Sequence, residues 1–351
     1  MGDYLARAFP VLASKLPRLQ LASLPTPVEQ RSLHLDGSTV DVAIKRDDVT
    51  GKQYGGNKVR KLEYLLAEAA RENANCVATF GTVASNHALA TALYARELGY
   101  ECVCFLSHQV RTPSAPRALN MHLRLGTHIV RYGGKRQDRQ ALVQESLAPY
   151  RAYVIPPGGS NWLGAVGFVN AGLELAAQVD AREIPEPARL YIANGTMGTA
   201  AGLALGLALA GLGTIVQAIQ VTESFVSSPD AMSKLLRQTA LEMHGLDDSI
   251  PADLADAVRY EFRTGFLGDG YAKTNEATDR AIAIAHDELG LTLEATYTGK
   301  AMAALLSDLR RQRVAGPVMF WNTYNSRALP VGTEKPADTS GLPEEFLRYY
   351  A

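Results

Sequence analysis

Two spacings of apolar residues alternate through the first half of the chain. Val59, Leu62, Leu65, Leu66 and Ala69 recur at helical intervals, and Cys76-Val77-Ala78-Thr79-Phe80 is a short apolar run that reads as a buried strand. Residues 88–98 predict a second helix closed by Gly99, and residues 101–106 the next strand. A helix over 117–125, a strand over 128–131, a helix over 137–147 and a strand over 153–155 continue the series. Strand and helix in alternation predict a parallel sheet with helices on its faces.

The rhythm then restarts. Residues 190–193 read as a strand, followed by a glycine-rich turn and an apolar helix, and 215–221 as another strand. Helices are expected over 232–244, 276–289 and 300–311, and a last strand over 318–321. After Pro330 the chain is rich in Pro, Gly and charge, which predicts loop with one short helix.

A chain of 351 residues exceeds what one growing core supports, so two domains are expected. Hydrophobic residues make up 47% and the net charge is −1, with no basic block for nucleic acid or a membrane surface. The longest apolar stretch, 200–212, is too short to span a bilayer, and residues 1–7 lack the features of a signal peptide. The three cysteines, Cys76, Cys102 and Cys104, fall in or beside expected strands, which suits core packing in a reducing cytoplasm. No Cys/His spacing suggests a metal.

Two stretches carry the candidate chemistry. Gly55-Gly56-Asn57-Lys58 brings a lysine to a helix N-terminus. There the positive end of the dipole disfavours the ammonium, and a neutral amine can attack an aldehyde. Ser85-Asn86-His87 opens another helix, where capping leaves backbone N–H groups and a hydroxyl for a carboxylate. A third segment, Asn194-Gly195-Thr196-Met197-Gly198-Thr199, joins a strand to an apolar helix. It has neither the lysine of a nucleotide triphosphatase loop nor dinucleotide spacing, so a monophosphate suits it best. Tyr271 and Tyr297 are candidate acids or bases if their pKa values are lowered.

Taken with Ile155-Pro156-Pro157-Gly158-Gly159-Ser160-Asn161, Tyr271-Ala272-Lys273-Thr274-Asn275-Glu276 and Tyr297-Thr298-Gly299-Lys300, these stretches resemble one family over most of the chain. It is the D-cysteine desulfhydrase and 1-aminocyclopropane-1-carboxylate (ACC) deaminase branch of the pyridoxal-phosphate enzymes. The resemblance implies a tryptophan-synthase-β-like α/β fold of two domains, each an open, mostly parallel twisted sheet with helices on both faces. Residues 1–60 and 165–351 would form the large domain and 61–164 the small one, with the site in the cleft between them. It also implies a homodimer.

Carried onto this sequence, the resemblance makes Lys58 the Schiff-base lysine of pyridoxal 5′-phosphate. Asn86 would bond the phenolic oxygen, and Gly195, Thr196, Met197, Gly198 and Thr199 the phosphate. Thr298 and Thr323 would stand near the pyridine nitrogen. Ser85, His87, Ser160, Tyr297 and Tyr324 would face a small amino-acid substrate, with Lys58, Ser85, Tyr271 and Tyr297 catalytic. Two segments depart from the family: Leu293-Glu294-Ala295-Thr296-Tyr297 stands for Leu-Asp-Pro-Val-Tyr, and Asn322-Thr323-Tyr324-Asn325 for His-Thr-Gly-Gly. ACC deaminases carry Glu where this chain has Thr298. Neutral partners make a weaker electron sink, which favours β-elimination over opening of a cyclopropane. ACC deamination, β-replacement or a sulfo-lyase reaction, and a cofactor-less binding protein are the alternatives.

Overall fold

The computed structural model describes residues 2–329 and 338–350. Helices α1 (Tyr4–Ala8) and α2 (Pro10–Lys15) precede a hairpin of β1 (Val28–Leu35) and β2 (Ser38–Lys45). Then come α3 (Lys58–Arg71), β3 (Cys76–Thr82), α4 (Asn86–Glu97), β4 (Glu101–Ser107), α5 (Ser114–Arg124), β5 (His128–Arg131), α6 (Arg136–Leu147) and β6 (Ala152–Ile155). The second half runs α7 (Trp162–Asp180), β7 (Arg189–Asn194), α8 (Gly198–Leu209), β8 (Ile215–Gln220), α9 (Pro229–Leu246), α10 (Leu254–Ala257), β9 (Tyr260–Arg263), α11 (Glu276–Leu289), α12 (Thr298–Arg310) and β10 (Val318–Trp321).

Two sheets result. The smaller has the order β5-β4-β3-β6 and is parallel throughout. The larger has the order β1-β2-β10-β7-β8-β9, and only β1 runs antiparallel to its neighbour. Successive residues of a strand point to opposite faces, and here both faces are covered. Leu190 and Ile192 of β7 join the core under α7 and α8, while Tyr191 and Ala193 join the one under α11 and α12. Strand β10 divides likewise, with Met319 and Trp321 on the first side and Val318 and Phe320 on the second.

The expected strands and helices are present with bounds shifted by a few residues. The sequence reading had no helix at α7, which is buried on nearly all sides. A helix apolar all round shows no period to read. The expected tail helix appears as two short 3₁₀ segments, Thr339–Gly341 and Glu344–Tyr349. Pro330 and the next seven residues lie outside the described residues.

One buried ionic cluster joins the hairpin, α3 and α7. The Arg60 guanidinium grips Asp47 through Nε (2.9 Å) and Nη2 (2.7 Å), and reaches Glu174 through Nη1 (2.9 Å). Lys45 Nζ lies 2.6 Å from Glu174 Oε1 and donates to the Thr26 carbonyl. Two cations face two carboxylates, all buried. Burial alone would raise the Glu174 carboxyl, but Arg60 and Lys45 outweigh it and hold the pKa at about 2, against an ordinary 4.5.

Replacing Arg60 with Met should therefore cost ~3–5 kcal/mol, because two carboxylates keep their burial and lose a partner. Urea unfolding followed by circular dichroism measures it. Because the folded pKa of Glu174 is depressed, its contribution is complete above the ordinary carboxyl range. It should fade as pH falls from about 4.5 towards 2.

Candidate active site

Lys58 is the first residue of α3, and the loop before it is fixed from several directions. A Cβ on Gly55 would lie 1.9 Å from the Asp48 carbonyl oxygen; one on Gly56, whose φ is +88°, would lie 2.8 Å from that of Thr323. Only glycine fits at either position. The Gly56 N–H donates to the Asp47 carbonyl (2.7 Å), the Asn57 N–H to that of Thr323 (3.2 Å) and Asn57 Nδ2 to Thr199 Oγ1 (2.9 Å). Burial lowers the Lys58 amine to about 8. Desolvation thus does what the helix dipole was expected to do.

The amine borders a cavity of about 670 Å³. Its wall is built largely from residues at the carboxyl ends of parallel strands: Phe80 and Thr82, Ser107, Asn194, Thr222, and Thr323 beyond β10. Open α/β sheets place ligand crevices at such ends. Of the residues singled out from sequence, Lys58, Ser85, Asn86, His87, Gly195, Thr196, Met197, Thr199, Tyr271, Tyr297, Thr323 and Tyr324 line it.

Ser85 caps α4, its Oγ accepting from the Ala88 N–H at 3.2 Å. The first N–H groups of that helix have no intrahelical acceptor and are donors for an anion. Asn86 Oδ1 accepts from the Tyr54 hydroxyl at 3.3 Å, which leaves its amide N–H groups for a ligand. His87 is buried, and its Nε2 lies 2.9 Å from Thr79 Oγ1. Burial, with Lys58 and Lys61 nearby, pushes its pKa well below 6.5, so the ring is neutral.

Between β7 and α8 the chain turns through Met197, a non-glycine residue with φ +66°. Such backbone persists where surrounding structure imposes it, often at ligand sites. Facing this turn is Lys61, which the sequence reading left out. Its Nζ donates to the Gly158 carbonyl (3.1 Å) and Ser160 Oγ (3.0 Å), and among the described ion pairs it has no carboxylate. Burial first, then Lys58, drives its pKa well down. A Cβ on Gly198 would lie 2.9 Å from this Nζ and 2.7 Å from Ser160 Oγ, so glycine keeps the cradle open. A buried, uncompensated amine, two hydroxyls and the N-terminus of α8 fit a phosphate.

Three placements differ from expectation. Ser160 is not among the residues that line the cavity, and its Oγ bonds Thr196 Oγ1 at 2.7 Å as well as Lys61. Thr298 does not line the cavity. Its hydroxyl is taken up by Glu294, donating to Oε1 (3.1 Å) and accepting from the backbone N–H (3.0 Å). Glu294 itself lines the wall, its carboxylate accepting from the N–H groups of Thr296, Tyr297 and Thr298. Thr298 is therefore not placed as a neutral partner on the cavity wall. Of the two residues that replace family glycines, Tyr324 lines the cavity, while Asn325 pins the lysine loop by accepting from the Gly55 N–H at 2.6 Å.

The hydroxyls of Tyr271 and Tyr297 hydrogen-bond each other, ring edge to ring face, with centroids 5.8 Å apart. Tyr271 is delivered by a loop clamped from two sides. Lys300 Nζ donates to the Leu267 and Gly270 carbonyls, and Glu223 accepts from the Tyr271 N–H. Burial raises both phenols, that of Tyr297 well above 10. They remain protonated, contrary to the lowered values that base catalysis would need.

The sequence pattern of a family described as pyridoxal-phosphate dependent enzymes matches residues 19–323. The D-cysteine desulfhydrase of Klebsiella pneumoniae (strain 342) is 35% identical over 327 residues, 90% of this chain and 96% of that protein. That of Salmonella schwarzengrund (strain CVM19633) is 34% identical over 329 residues, with the same coverage. Among solved structures, an ACC deaminase homologue superposes with a TM-score of 0.72 at 26% identity, over 92% of this chain and 94% of that one. A fungal L-serine ammonia-lyase from Rhizomucor miehei, 16% identical with a TM-score of 0.60 over 95% and 100% of the two chains, shares the fold. The chain belongs to the pyridoxal-phosphate dependent enzymes. Pyridoxal phosphate is its cofactor.

Because the amine must be neutral to take up an aldehyde, loading of the apo-protein should accelerate as pH rises. Half of the rise should fall near pH 8, where an ordinary lysine would need about 10.5. Stopped-flow absorbance in the visible reads this directly, and Lys58→Ala should give no such band. Lys61→Ala should weaken retention of the cofactor by ~10-fold or more, as loss of a charge-assisted contact implies. Dialysis against hydroxylamine-free buffer, followed by absorbance, measures it.

Proposed function

We propose that the enzyme catalyses β-elimination from a small β-substituted amino acid such as D-cysteine or a β-chloro analogue. With D-cysteine, one water is consumed and hydrogen sulfide, pyruvate and ammonia are released, the last two by hydrolysis of the enamine. The observation that carries this reading is a pairing of opposite pKa shifts in one cavity. An amine lowered to about 8 stands with two phenols held above their ordinary value. Acid and base roles follow from such a division. The naming of the 35% and 34% identical relatives as D-cysteine desulfhydrases supports it.

Bound pyridoxal phosphate supplies a sink for the electrons left at the α-carbon. In this reading Lys58 anchors it, the 195–199 turn with Lys61 and Ser160 holds the phosphate, and Asn86 donates to the phenolic oxygen. Thr323 stands near the ring nitrogen. Ser85 and the first N–H groups of α4 hold the substrate carboxylate. Lys58, its amine lowered by burial, would take the α-proton. The Tyr271–Tyr297 pair gives a proton to the departing sulfur. Three buried, unpaired cysteines are consistent with a reducing cytoplasm. The homodimer rests on the family resemblance, and light scattering would read twice the 37.8 kDa chain mass.

One observation favours a second reading. Glu294 puts a carboxylate on the cavity wall. A carboxylate at the pyridine nitrogen would strengthen the sink enough for deamination of ACC.

A screen of D- and L-amino acids and ACC for 2-oxo acid and ammonia separates the two. Faster turnover of ACC than of every β-substituted amino acid would overturn the first reading. Tyr297→Phe tests the proton donor. It should lower kcat/KM for D-cysteine by ~100-fold, within the range of general acid catalysis, and far less for β-chloro-D-alanine, whose chloride leaves unprotonated.

A further inference from the structure

The far C-terminal segment lies against the small sheet's side of the cleft. Phe346 is fully buried and meets the His108 ring edge-on at 5.2 Å. The Tyr350 hydroxyl donates to Asn120 Oδ1 at 2.7 Å. Between them Tyr349, 6% exposed, spends its hydroxyl on the backbone of a single residue. It accepts from the Gln109 N–H at 3.0 Å and donates to the Gln109 carbonyl at 2.9 Å, with His108 Nδ1 at 3.2 Å. Gln109 is not part of a strand, and this one hydroxyl serves both its backbone groups.

Gln109 lines the cavity, and its side chain continues the connection. Its Oε1 accepts from the Ala84 N–H at 3.3 Å, and its Nε2 donates to Thr112 Oγ1 at 3.3 Å. Ala84 immediately precedes Ser85, the cap of α4. The same turn is held by the Val83 N–H on the Ser107 carbonyl (3.0 Å), from the residue that ends β4. The turn before Ser85 thus hangs on the segment after β4, and that segment hangs on Tyr349.

We propose that Tyr349 is a positioning residue for the substrate. Its hydroxyl fixes Gln109, and Gln109 fixes the turn that presents Ser85 and the open N–H groups of α4 to the substrate carboxylate. The inference rests on the carboxylate site proposed above. It concerns binding and orientation only, since Tyr349 does not line the cavity and touches no reacting atom.

Tyr349→Phe removes the hydroxyl and leaves the ring packed on His108 and Phe346. In the holoenzyme, amide exchange at Gln109 and Ala84 should quicken while other small-sheet amides keep their rates. KM for the amino acid should rise about fivefold, the worth of one ordinary hydrogen bond, with kcat held within about twofold. Unchanged exchange at Ala84 overturns the proposal, as does a loss confined to kcat. A general rise in exchange across the small sheet also overturns it, because the residue would then be a prop for the domain. Ser85→Ala, measured alongside, isolates the underlying reading. If it leaves KM unchanged, the carboxylate site is wrong, and the exchange rate at Ala84 still decides whether Tyr349 orders the turn.

Discussion

The buried contact between Arg60 and two carboxylates, Asp47 and Glu174, is what the site geometry depends on. Arg60 lies two residues after Lys58, in the first turn of α3. Asp47 follows β2 and also takes the Gly56 N–H on its carbonyl oxygen. Glu174 belongs to α7, whose apolar residues share one core with strands of both sheets. A planar guanidinium with five donors satisfies both carboxylates at fixed angles, which an ammonium could not do. The lysine is therefore aimed by rigid parts: a strand end, a two-glycine loop and a clamped helix turn. Such a cluster is worth little as net stability, because desolvation offsets its attraction. Its value here is that the first turn of α3 has one position.

That position has an electrostatic consequence. Lys58, half-buried, and Lys61, buried, are one turn apart on α3, and neither is paired with a carboxylate among the described residues. Burial lowers both amines, Lys58 adds to the effect on Lys61, and burial with both lysines keeps His87 beside them neutral. The Lys61 end of the site, where no carboxylate pairs with the amine among the described residues, is matched to a ligand's phosphate. Binding would return to Lys61 the counter-charge that burial denies it. The cradle and the reactive amine thus share one cause, two lysines at helical spacing on a buried face.

Much of this was legible in the sequence, and the parts that were not have physical reasons. Gly55-Gly56-Asn57-Lys58 announced the lysine because glycines in that order are hard to explain by packing. Ser85 announced a helix start because capping chemistry is local. Lys61 was missed because a lysine three residues into an amphipathic helix reads as solvent-facing, and only the fold puts Gly158 and Ser160 over it. Helix α7 was missed because burial on every side erases periodicity. The partners of Ser160, Lys61 and Thr196, come from two distant segments, so no local pattern joins them. Tertiary contacts decided each of these, and no local pattern encodes them.

Glu294 shows how a small departure can redistribute the roles around a cavity. Where the family carries Asp, this chain has one more methylene, and the next helix begins with a threonine in place of the glutamate of ACC deaminases. The longer carboxylate accepts from the N–H groups of Thr296 and Tyr297 in the turn before α12 and of Thr298 at its start, and still reaches the wall, while the Thr298 hydroxyl donates to it. Burial raises the Glu294 pKa in spite of those donors, so desolvation is the larger effect. Its field in turn adds to the burial that holds the phenols of Tyr54, Tyr271, Tyr297 and Tyr324 above their ordinary values. One wall of the cavity thus suppresses the charge of amines and another suppresses the charge of phenols. Environments that push titratable groups apart in this way are what separate acid from base within one cavity.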